Sequence, residues 1–569
     1  MPTEIIYVDN EFLEKLGVGR ITSSALLPDH QILNILCIQP SATIEASTNG
    51  FSIIDENFND KILGFLDFAL AEDPDIVCTP EYCVSWGLLN EIFQAGKYPS
   101  RKTIWLLGCQ SISWNAFQTF KNSFDDITWI VEGGPFAENR FLDPTCYFLH
   151  SENSKIAIVQ FKNESCGDGG LFLERDNLAT GSKLYVLRKD IHSIHLSAIS
   201  CSDAFSGVWR QTVNSQVNTP YLIFHPQLND APRQLTYTNY RREFFRTGNK
   251  EKEVFSLNWA QSTRLKLHNS HREFPFNQPY SAIFSQSSEL DLKEPRVTDN
   301  HRRGLYLSRW EKQHAGIYVF HFDEAIFQFD CTKASQSVAE HERRGKTGPR
   351  MASVFHWQDN THWESIDQLD DGFSNLLAKV EIDGQLFRGW APLDIERAIY
   401  LANALNPTAQ KQPWHTIKNI PSFISTEEEV VRRYTFTHDL SPEAVRFRDS
   451  ALIGLSALFK IVEDQSSIPP SLIELGNDWI IGYVNTKPAF NFCKPNKSSW
   501  MLFAYAGQHT SATFAEIKSK LWDVLGEDDK HRLAIWYHEG PLLKYFYRSP
   551  DITEDTSEQS ESIAREKNV

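Results

Sequence analysis

The sequence predicts an α/β protein in which helices and sheets form layers. Short apolar runs alternate with segments of helical apolar spacing, and the connections between them are short. The first run, residues 32–38, is apolar almost throughout, which is typical of a strand in a sheet covered on both faces. Since the alternation continues from about residue 28 to about residue 330, one continuous core is expected there, with residues 1–27 peripheral.

The individual elements follow in chain order. Apolar residues at helical spacing predict a helix over 55–72, and a buried strand then leads to Glu81. A helix is expected over 86–93 and a strand over 103–108. The same reasoning predicts two later helices, over 208–217 and 235–246, and further strands over 128–131, 146–149, 156–161, 183–187, 195–200, 221–225, 254–258, 281–285 and 316–322.

The remainder of the chain divides into three parts. Residues 331–350 are polar and are expected to form a linker or loop. They contain Gly345-Lys346-Thr347, but Glu340 stands where a phosphate-binding loop requires glycine. Residues 351–550 predict a C-terminal globular region of mixed, partly helical structure and unknown role, with helix starts near 441 and 513. The tail, 551–569, is acidic and Ser-rich and is predicted to be disordered.

Composition narrows the function classes. With 569 residues and a net charge of −17, the chain is unlike a general nucleic-acid binder, whose affinity depends on neutralising phosphates. Nine cysteines without CxxC pairs indicate neither a disulfide framework nor a zinc site. Neither a secretory signal nor a membrane-spanning run is recognised, so a cytoplasmic protein is expected. His356, His362 and Glu364 match no metal-binding spacing, so the two histidines are expected to lie exposed in a loop, and no cofactor is expected.

Three predicted strands end in residues capable of chemistry, namely Glu81, Lys162 and Cys201. Ligand sites in α/β sheets collect at the carboxyl ends of strands, so these side chains are expected to meet in one pocket. A carboxylate near a thiol can move protons, and an ammonium can stabilise a thiolate or the oxyanion formed when sulfur attacks a carbonyl or nitrile carbon. The Ser202 backbone amide, next to the sulfur, is a second candidate oxyanion donor.

Cys201 lies where a strand is expected to turn sharply into a helix. Unpaired amides and the helix dipole at such a turn favour the thiolate, which is the nucleophilic form. The alternative is that Cys201 is an inert, buried, small apolar residue, as intracellular cysteines commonly are.

The motifs around these residues resemble the nitrilase, or carbon–nitrogen hydrolase, superfamily. Its Glu–Lys–Cys order is matched by Thr79-Pro80-Glu81-Tyr82, Phe161-Lys162-Asn163 and Cys201-Ser202-Asp203. The strands at 220–226 and 254–258 are similar to two later strands of the family. The resemblance covers about residues 28–330 and implies a four-layer α-β-β-α sandwich, with Glu81, Lys162 and Cys201 as the catalytic triad.

The resemblance also implies further site residues. Members of the family often carry a second glutamate between the lysine and the cysteine, and Phe172-Leu173-Glu174-Arg175 is similar to that segment. Glu174 is therefore a fourth candidate, against the alternative of a surface-loop carboxylate. Tyr82, Ser202 and Phe205 are candidates for lining the substrate pocket, with core packing as the alternative for the two aromatic residues.

We therefore expect a cysteine-dependent hydrolase of a non-peptide C–N bond (amide, carbamoyl or nitrile) that acts on a small molecule through a thioester. The segment after Cys201, Ala-Phe-Ser-Gly-Val-Trp, departs from the family pattern, so the substrate stays open. One alternative is a non-catalytic scaffold or interaction protein of a bacterial defence module. Another is an acyl transferase. The family implies a homo-oligomer, and the C-terminal region is a candidate surface for a protein partner.

Overall fold

The computed structural model describes residues 3–29, 32–166, 173–207, 219–232, 235–246, 252–268, 270–277, 279–286, 295–310, 315–333, 348–358, 361–403, 433–440, 442–476, 478–482, 490–496, 498–509 and 511–547. The described residues up to Leu369 form one compact unit, called unit 1 below. Those from Asp370 onward form a second, called unit 2. Within the described residues, no helix has both the length and the apolar character that crossing a membrane requires.

Unit 1 contains a nine-stranded mixed sheet. Its strands lie in the spatial order His362–Ile366, Arg350–Gln358, Ala325–Thr332, Ile32–Gln39, Ile76–Cys78, Ile104–Gly108, Pro144–His150, Lys155–Phe161 and Ile127–Val131. The three strands at its centre, which begin at Ile32, Ile76 and Ile104, are parallel. As predicted, these central strands are almost entirely buried.

Unit 1 also contains an eight-stranded sheet. Its spatial order is Glu4–Val8, Lys183–Leu187, His195–Ala198, Tyr221–Pro226, Lys252–Leu257, Ala282–Gln286, Ala315–Phe320 and Leu305–Trp310. The strands that begin at His195, Tyr221 and Lys252 are parallel, so their carboxyl ends share one edge.

Side chains of the two sheets contact each other. Gln160 of the nine-stranded sheet donates from Nε2 to the Ala198 carbonyl at 2.9 Å, and the rings of Phe255 and Phe329 stack at 5.2 Å. Alternate residues face the other way: Phe148 and Phe161 contact helices that cover the nine-stranded sheet. Both faces of the nine-stranded sheet are therefore covered, one by the other sheet and one by helices. Because successive side chains point to opposite faces, its strands are apolar at nearly every position.

The helices of unit 1 have the predicted amphipathic character. In the helix Trp86–Gln94, Ser85 caps the first turn by accepting from the Leu88 amide, and Leu88, Leu89, Ile92 and Phe93 are buried. The helix Leu235–Arg246 has the bounds that the sequence predicts. The other helices are Asn10–Lys15, Phe58–Glu72, Trp114–Lys121, Leu173–Asn177 and Pro295–Arg302. Unit 1 has two further small sheets. One has four strands in the order Glu273–Pro275, Arg264–Leu267, Thr43–Ser47 and Gly50–Ile53, and the other pairs Ile112–Ser113 with Phe141–Leu142.

Unit 2 has its own core around a five-stranded sheet. The strands lie in the order Ile480–Ile481, Phe492–Cys493, Trp500–Gln508, Leu533–Glu539 and Leu542–Tyr547. The helix Ser511–Leu525 connects the parallel strands Trp500–Gln508 and Leu533–Glu539. The other helices are Phe373–Lys379, Pro392–Ala402, Pro442–Glu463 and Pro470–Ile473, and 3-10 turns occupy Gly384–Phe387, Gln465–Ser467 and Glu527–Arg532.

The boundaries of unit 1 differ from the predicted 28–330. The strand Glu4–Val8 pairs with Lys183–Leu187, and the hairpin of Arg350–Gln358 and His362–Ile366 covers the edge of the strand Ala325–Thr332. The predicted start of the C-terminal region at 351 is therefore wrong. The hairpin strands have no strict alternation of buried and exposed residues, and for this reason the sequence pattern did not predict them as strands of this sheet.

The same hairpin corrects the expected environment of two histidines. His356 and His362 lie in paired strands instead of a loop, with His356 opposite Glu364. Several predictions fall outside the described residues: the helix at 208–217, most of the 331–350 linker with Gly345-Lys346-Thr347, and the tail 551–569.

Candidate active site

Glu81 follows the strand Ile76–Cys78 on a tight turn. The Gly108 amide of the neighbouring strand donates to Thr79 Oγ1 at 3.0 Å. A Cβ atom at position 108 would lie 2.1 Å from the Pro80 carbonyl oxygen, so only glycine permits this approach. Tyr82 then adopts a left-handed conformation with φ of 60°. The turn directs the Glu81 carboxylate into the buried interior.

Lys162 follows the strand Lys155–Phe161, which forms an antiparallel hairpin with Pro144–His150. The pairing continues one residue further, because the Lys162 amide donates to the Asp143 carbonyl at 2.9 Å. Asp143 therefore lies directly opposite Lys162 at the same end of the sheet.

The Lys162 ammonium is surrounded by three carboxylates. Its Nζ lies 2.7 Å from Glu81 Oε1, 2.8 Å from Glu174 Oε1 and 3.5 Å from Asp143 Oδ2. The Tyr82 hydroxyl donates to Glu174 Oε1 at 3.0 Å. All five side chains are buried. We call Glu81, Asp143, Lys162 and Glu174 the carboxylate–lysine cluster.

Backbone and indole donors fix the two glutamates. The Leu228 amide donates to Glu81 Oε2 at 2.8 Å, and the Trp259 indole donates to the Glu81 carbonyl at 2.9 Å. The Cys166 amide donates to Glu174 Oε2 at 2.7 Å. Both carboxylates are thus held in defined orientations on the ammonium.

Burial shapes the charge of the cluster. It raises the pKa of Glu81 well above its ordinary value and that of Asp143 to about 6, because an ionised carboxylate loses solvation. Burial disfavours the Lys162 ammonium, but attraction by Glu174 and Glu81 outweighs it and raises the Lys162 pKa. A charged lysine is therefore paired with two carboxyl groups, Glu81 and Asp143, that take up protons more readily than exposed ones.

The cluster also contains potential metal ligands. One oxygen each of Glu81, Asp143 and Glu174 lies within 4.8 Å of the others, which marks the cluster as a possible cation site among the described residues. The Lys162 ammonium already contacts all three carboxylates and supplies the positive charge that a metal ion would otherwise supply.

Cys201 begins a short 3-10 turn, Cys201–Phe205, after the strand His195–Ala198. Its φ of 35° places a non-glycine residue in the left-handed region, a strained conformation that is common at functional sites. Asp203 ties this turn to the end of the lysine strand, since its Oδ1 accepts from the Asn163 and Glu164 amides at 2.8 Å each.

The Cys201 sulfur is 3.2 Å from the Tyr237 hydroxyl. Burial raises the pKa of the Cys201 thiol well above its ordinary value; the Glu81 charge raises it further and the Lys162 charge lowers it. The sequence favoured a thiolate here, whereas burial in the structure raises the pKa of Cys201 and so favours the thiol. The reason is that the expected helix start is only a short 3-10 turn and the sulfur is desolvated.

The other predicted site residues have distinct positions. Glu174 is 6% exposed and belongs to the cluster, so it is not a surface-loop carboxylate. Tyr82 is buried and holds Glu174, while the Ser202 hydroxyl donates to the Glu164 carbonyl at 2.6 Å. Phe205 is 41% exposed and its ring lies 4.8 Å from that of Tyr237.

The sequence reasoning missed Asp143 and Tyr237. The hairpin register of two strands that were predicted would have placed Asp143 opposite Lys162. Tyr237 had no comparable signal, because only the tertiary packing of the helix Leu235–Arg246 brings it to Cys201.

Comparisons with known proteins give structural neighbours but no match in sequence. No family model and no curated protein matches the sequence. An amidase from Nesterenkonia sp. is 10% identical with a TM-score of 0.30, over 56% of this chain and 97% of that chain. A glutamine-dependent NAD+ synthetase from Acinetobacter baumannii is 11% identical with a TM-score of 0.32, over 65% of this chain and 56% of that chain.

A CN-hydrolase superfamily protein from Xanthomonas campestris is 12% identical with a TM-score of 0.26, over 45% of this chain and 83% of that chain. A further neighbour, an amidase from Nesterenkonia AN1, is described as a member of the nitrilase superfamily. The structural neighbours include nitrilase-superfamily proteins. At these identities and TM-scores, the likeness does not indicate a substrate or a mechanism.

Proposed function

We propose that the chain is a cysteine-dependent hydrolase of a non-peptide C–N bond in an amide, carbamoyl or nitrile substrate. One observation carries the proposal: a buried ammonium bonded to two glutamates lies in electrostatic reach of a strained, buried cysteine. We assign Cys201 as nucleophile, Glu81 as the group that moves protons, and Lys162 with the Ser202 amide as oxyanion donors. Unit 1 is proposed to be a four-layer α-β-β-α sandwich.

The first half-reaction forms a thioester when the substrate is an amide. The Cys201 sulfur bonds to the carbonyl carbon while its proton passes to Glu81, whose raised pKa suits it to receive that proton. The carbonyl oxygen becomes an oxyanion beside Lys162. The C–N bond then breaks, and Glu81 returns the proton to the leaving nitrogen as amine or ammonia departs.

The second half-reaction hydrolyses the thioester. Water attacks the acyl carbon as Glu81 takes one of its protons, and the C–S bond breaks. The sulfur regains a proton from Glu81, and the product leaves as a carboxylic acid. Glu174 keeps Lys162 charged throughout, because it lies on the ammonium at 2.8 Å and is itself fixed by Tyr82 and the Cys166 amide.

The test compares Cys201→Ala with Cys331→Ala. Both cysteines are 3% exposed in unit 1, but Cys331 lies in the strand Ala325–Thr332. Each protein is incubated with a panel of primary amides, N-carbamoyl compounds and nitriles, and ammonia release is measured. We expect Cys201→Ala to lose hydrolysis by ~10⁴-fold or more and Cys331→Ala to retain it.

Acid quenching followed by peptide mass spectrometry provides a second readout, since a trapped acyl group should map to the Cys201 peptide. Equal ammonia release by Cys201→Ala and the parent chain would overturn the proposal, as would an adduct on another residue. No turnover or adduct with any compound would favour the non-catalytic scaffold.

A further inference from the structure

The Tyr237 hydroxyl has no part in the reaction proposed above, yet it lies 3.2 Å from the attacking sulfur. Tyr237 is 3% exposed and belongs to the helix Leu235–Arg246, which follows the strand Tyr221–Pro226. A buried tyrosine hydroxyl needs a hydrogen-bond partner, and the Cys201 sulfur is within reach.

Two rings fix the position of this hydroxyl. The Phe205 ring lies 4.8 Å and the His225 ring 6.0 Å from the Tyr237 ring, between centroids. The helix and the cysteine turn therefore hold the Tyr237 ring in place, and this fixes its hydroxyl next to the Cys201 sulfur.

His225 does not take over this role. Its Nε2 lies 3.1 Å from the Cys201 carbonyl oxygen, and its Nδ1 lies 3.1 Å from the Gln227 amide nitrogen, which can only donate. This arrangement makes Nδ1 an acceptor and Nε2 the donor to the carbonyl. Burial lowers the pKa of His225 to about 3, which agrees with a neutral ring that positions the cysteine backbone.

We propose that Tyr237 is a further catalytic residue, whose hydroxyl donates a hydrogen bond to the Cys201 sulfur and stabilises its thiolate during attack. Its catalytic meaning rests on the proposed hydrolase function. The hydroxyl keeps its proton, and no bond to Tyr237 forms or breaks. A donor helps because the thiol is desolvated, and a charge-assisted hydrogen bond adds to the Lys162 charge in lowering the cost of its ionisation.

The experiment measures ionisation of Cys201 directly. The titratable groups that act on the thiol include Glu81, Lys162, Cys166 and Tyr237. Tyr237→Phe keeps the ring and removes only the hydroxyl. Tyr240→Phe is the matched control, because it removes a hydroxyl from the same helix, one turn further along. Alkylation of Cys201 by iodoacetamide is followed by peptide mass spectrometry as a function of pH.

We expect Tyr237→Phe to move the midpoint of alkylation upward by about one pH unit, which slows alkylation about tenfold below the midpoint. Tyr240→Phe should leave the midpoint unchanged. If the reagent does not reach the sulfur, the ultraviolet absorbance of the thiolate, taken as the difference between each protein and its Cys201→Ala version, gives the same midpoint. An unchanged midpoint in Tyr237→Phe would overturn the proposal.

This readout needs no substrate, so it separates the two proposals. A shifted midpoint without hydrolysis of any C–N substrate would uphold the hydrogen bond and reject the hydrolase function. Hydrolysis by the parent chain with an unshifted midpoint would do the reverse. With an active substrate, Tyr237→Phe should lower kcat/KM, and the loss should diminish as the pH approaches the midpoint.

Discussion

Both compact units bury a carboxylate with a cation, but they do so differently. In unit 2, Glu396 lies 3.6 Å from the Arg433 guanidinium, and both side chains are 0% exposed. Glu396 Oε2 accepts from the Tyr434 amide at 2.9 Å, and Oε1 accepts from the Thr435 amide at 2.7 Å and from the Thr435 hydroxyl. The Glu396 carboxylate faces a guanidinium, and both of its oxygens accept hydrogen bonds.

In unit 1, three carboxylates share the single Lys162 ammonium. The Lys162 ammonium lies 3.5 Å from Asp143, and the two carboxylate oxygens of Asp143 accept no hydrogen bond from the described part of the chain. The charges of Glu81 and Lys162 act on the thiol of Cys201, whose backbone is held in a strained conformation. The difference shows that a buried ion pair is not by itself a sign of a catalytic site. A better sign is an excess of carboxylates over cations next to a nucleophile.

The largest expected effect comes from neutralising one glutamate in each unit, which tests whether Glu81 and Glu396 have different roles. Glu81→Gln should lower hydrolysis ~10³-fold, because it removes the proton carrier, while Lys162 keeps two carboxylates. Glu396→Gln should leave turnover unchanged and destabilise unit 2 by about 3–5 kcal/mol, because the buried Arg433 guanidinium loses the negative charge of Glu396. Turnover with an active amide and urea unfolding measure the two effects.

If Glu81→Gln destabilised the protein as much as Glu396→Gln and left turnover intact, the two pairs would have the same structural role. The assignment of Glu81 would then be wrong.

Much of unit 1 could be predicted because its strands and helices are locally encoded. The strand Lys183–Leu187 and the helix Leu235–Arg246 have the predicted bounds, since their apolar periodicity is strong. The hairpin Arg350–Ile366 was missed because it covers a sheet edge with half-buried residues. Glu81, Lys162 and Glu174 could be inferred from motif order. Tyr237 could not, because its distance from Cys201 is set by the docking of a helix.

Asp143→Asn tests the charge surplus through pH. Burial raises the Asp143 pKa from 3.8 to about 6, so its protonated form favours the folded state. Stability should therefore fall as pH rises from about 4 to about 6 and stay lower above that, a loss of about 1–3 kcal/mol. Asparagine does not ionise.

The unfolding free energy of Asp143→Asn should therefore match the parent near pH 4 and exceed it by that amount near pH 7, as measured by urea unfolding at each pH. A variant that is less stable than the parent near pH 7 would mean that Asp143 is a required partner of Lys162, as is expected of Glu396 for Arg433.

The smallest expected effect concerns access to the site. The side chains of Glu396 and Arg433 are fully buried. In the unit 1 site, by contrast, Phe205 contacts Tyr237 and is 41% exposed. If Phe205 contacts the substrate, Phe205→Ala should raise KM about fivefold, equivalent to ~1 kcal/mol of binding, and leave kcat within about twofold, since apolar contact acts equally on the bound substrate and the transition state.

Ile453→Ala is the matched control, because it truncates an exposed apolar residue of unit 2, 63% exposed, on the helix Pro442–Glu463. It should change neither constant. A fall in kcat for Phe205→Ala with KM unchanged would assign Phe205 to holding Tyr237 in place instead of contacting substrate. An equal rise in KM for Ile453→Ala would mean that substrate binding is not confined to unit 1, and the contrast between the two units would fail at this point.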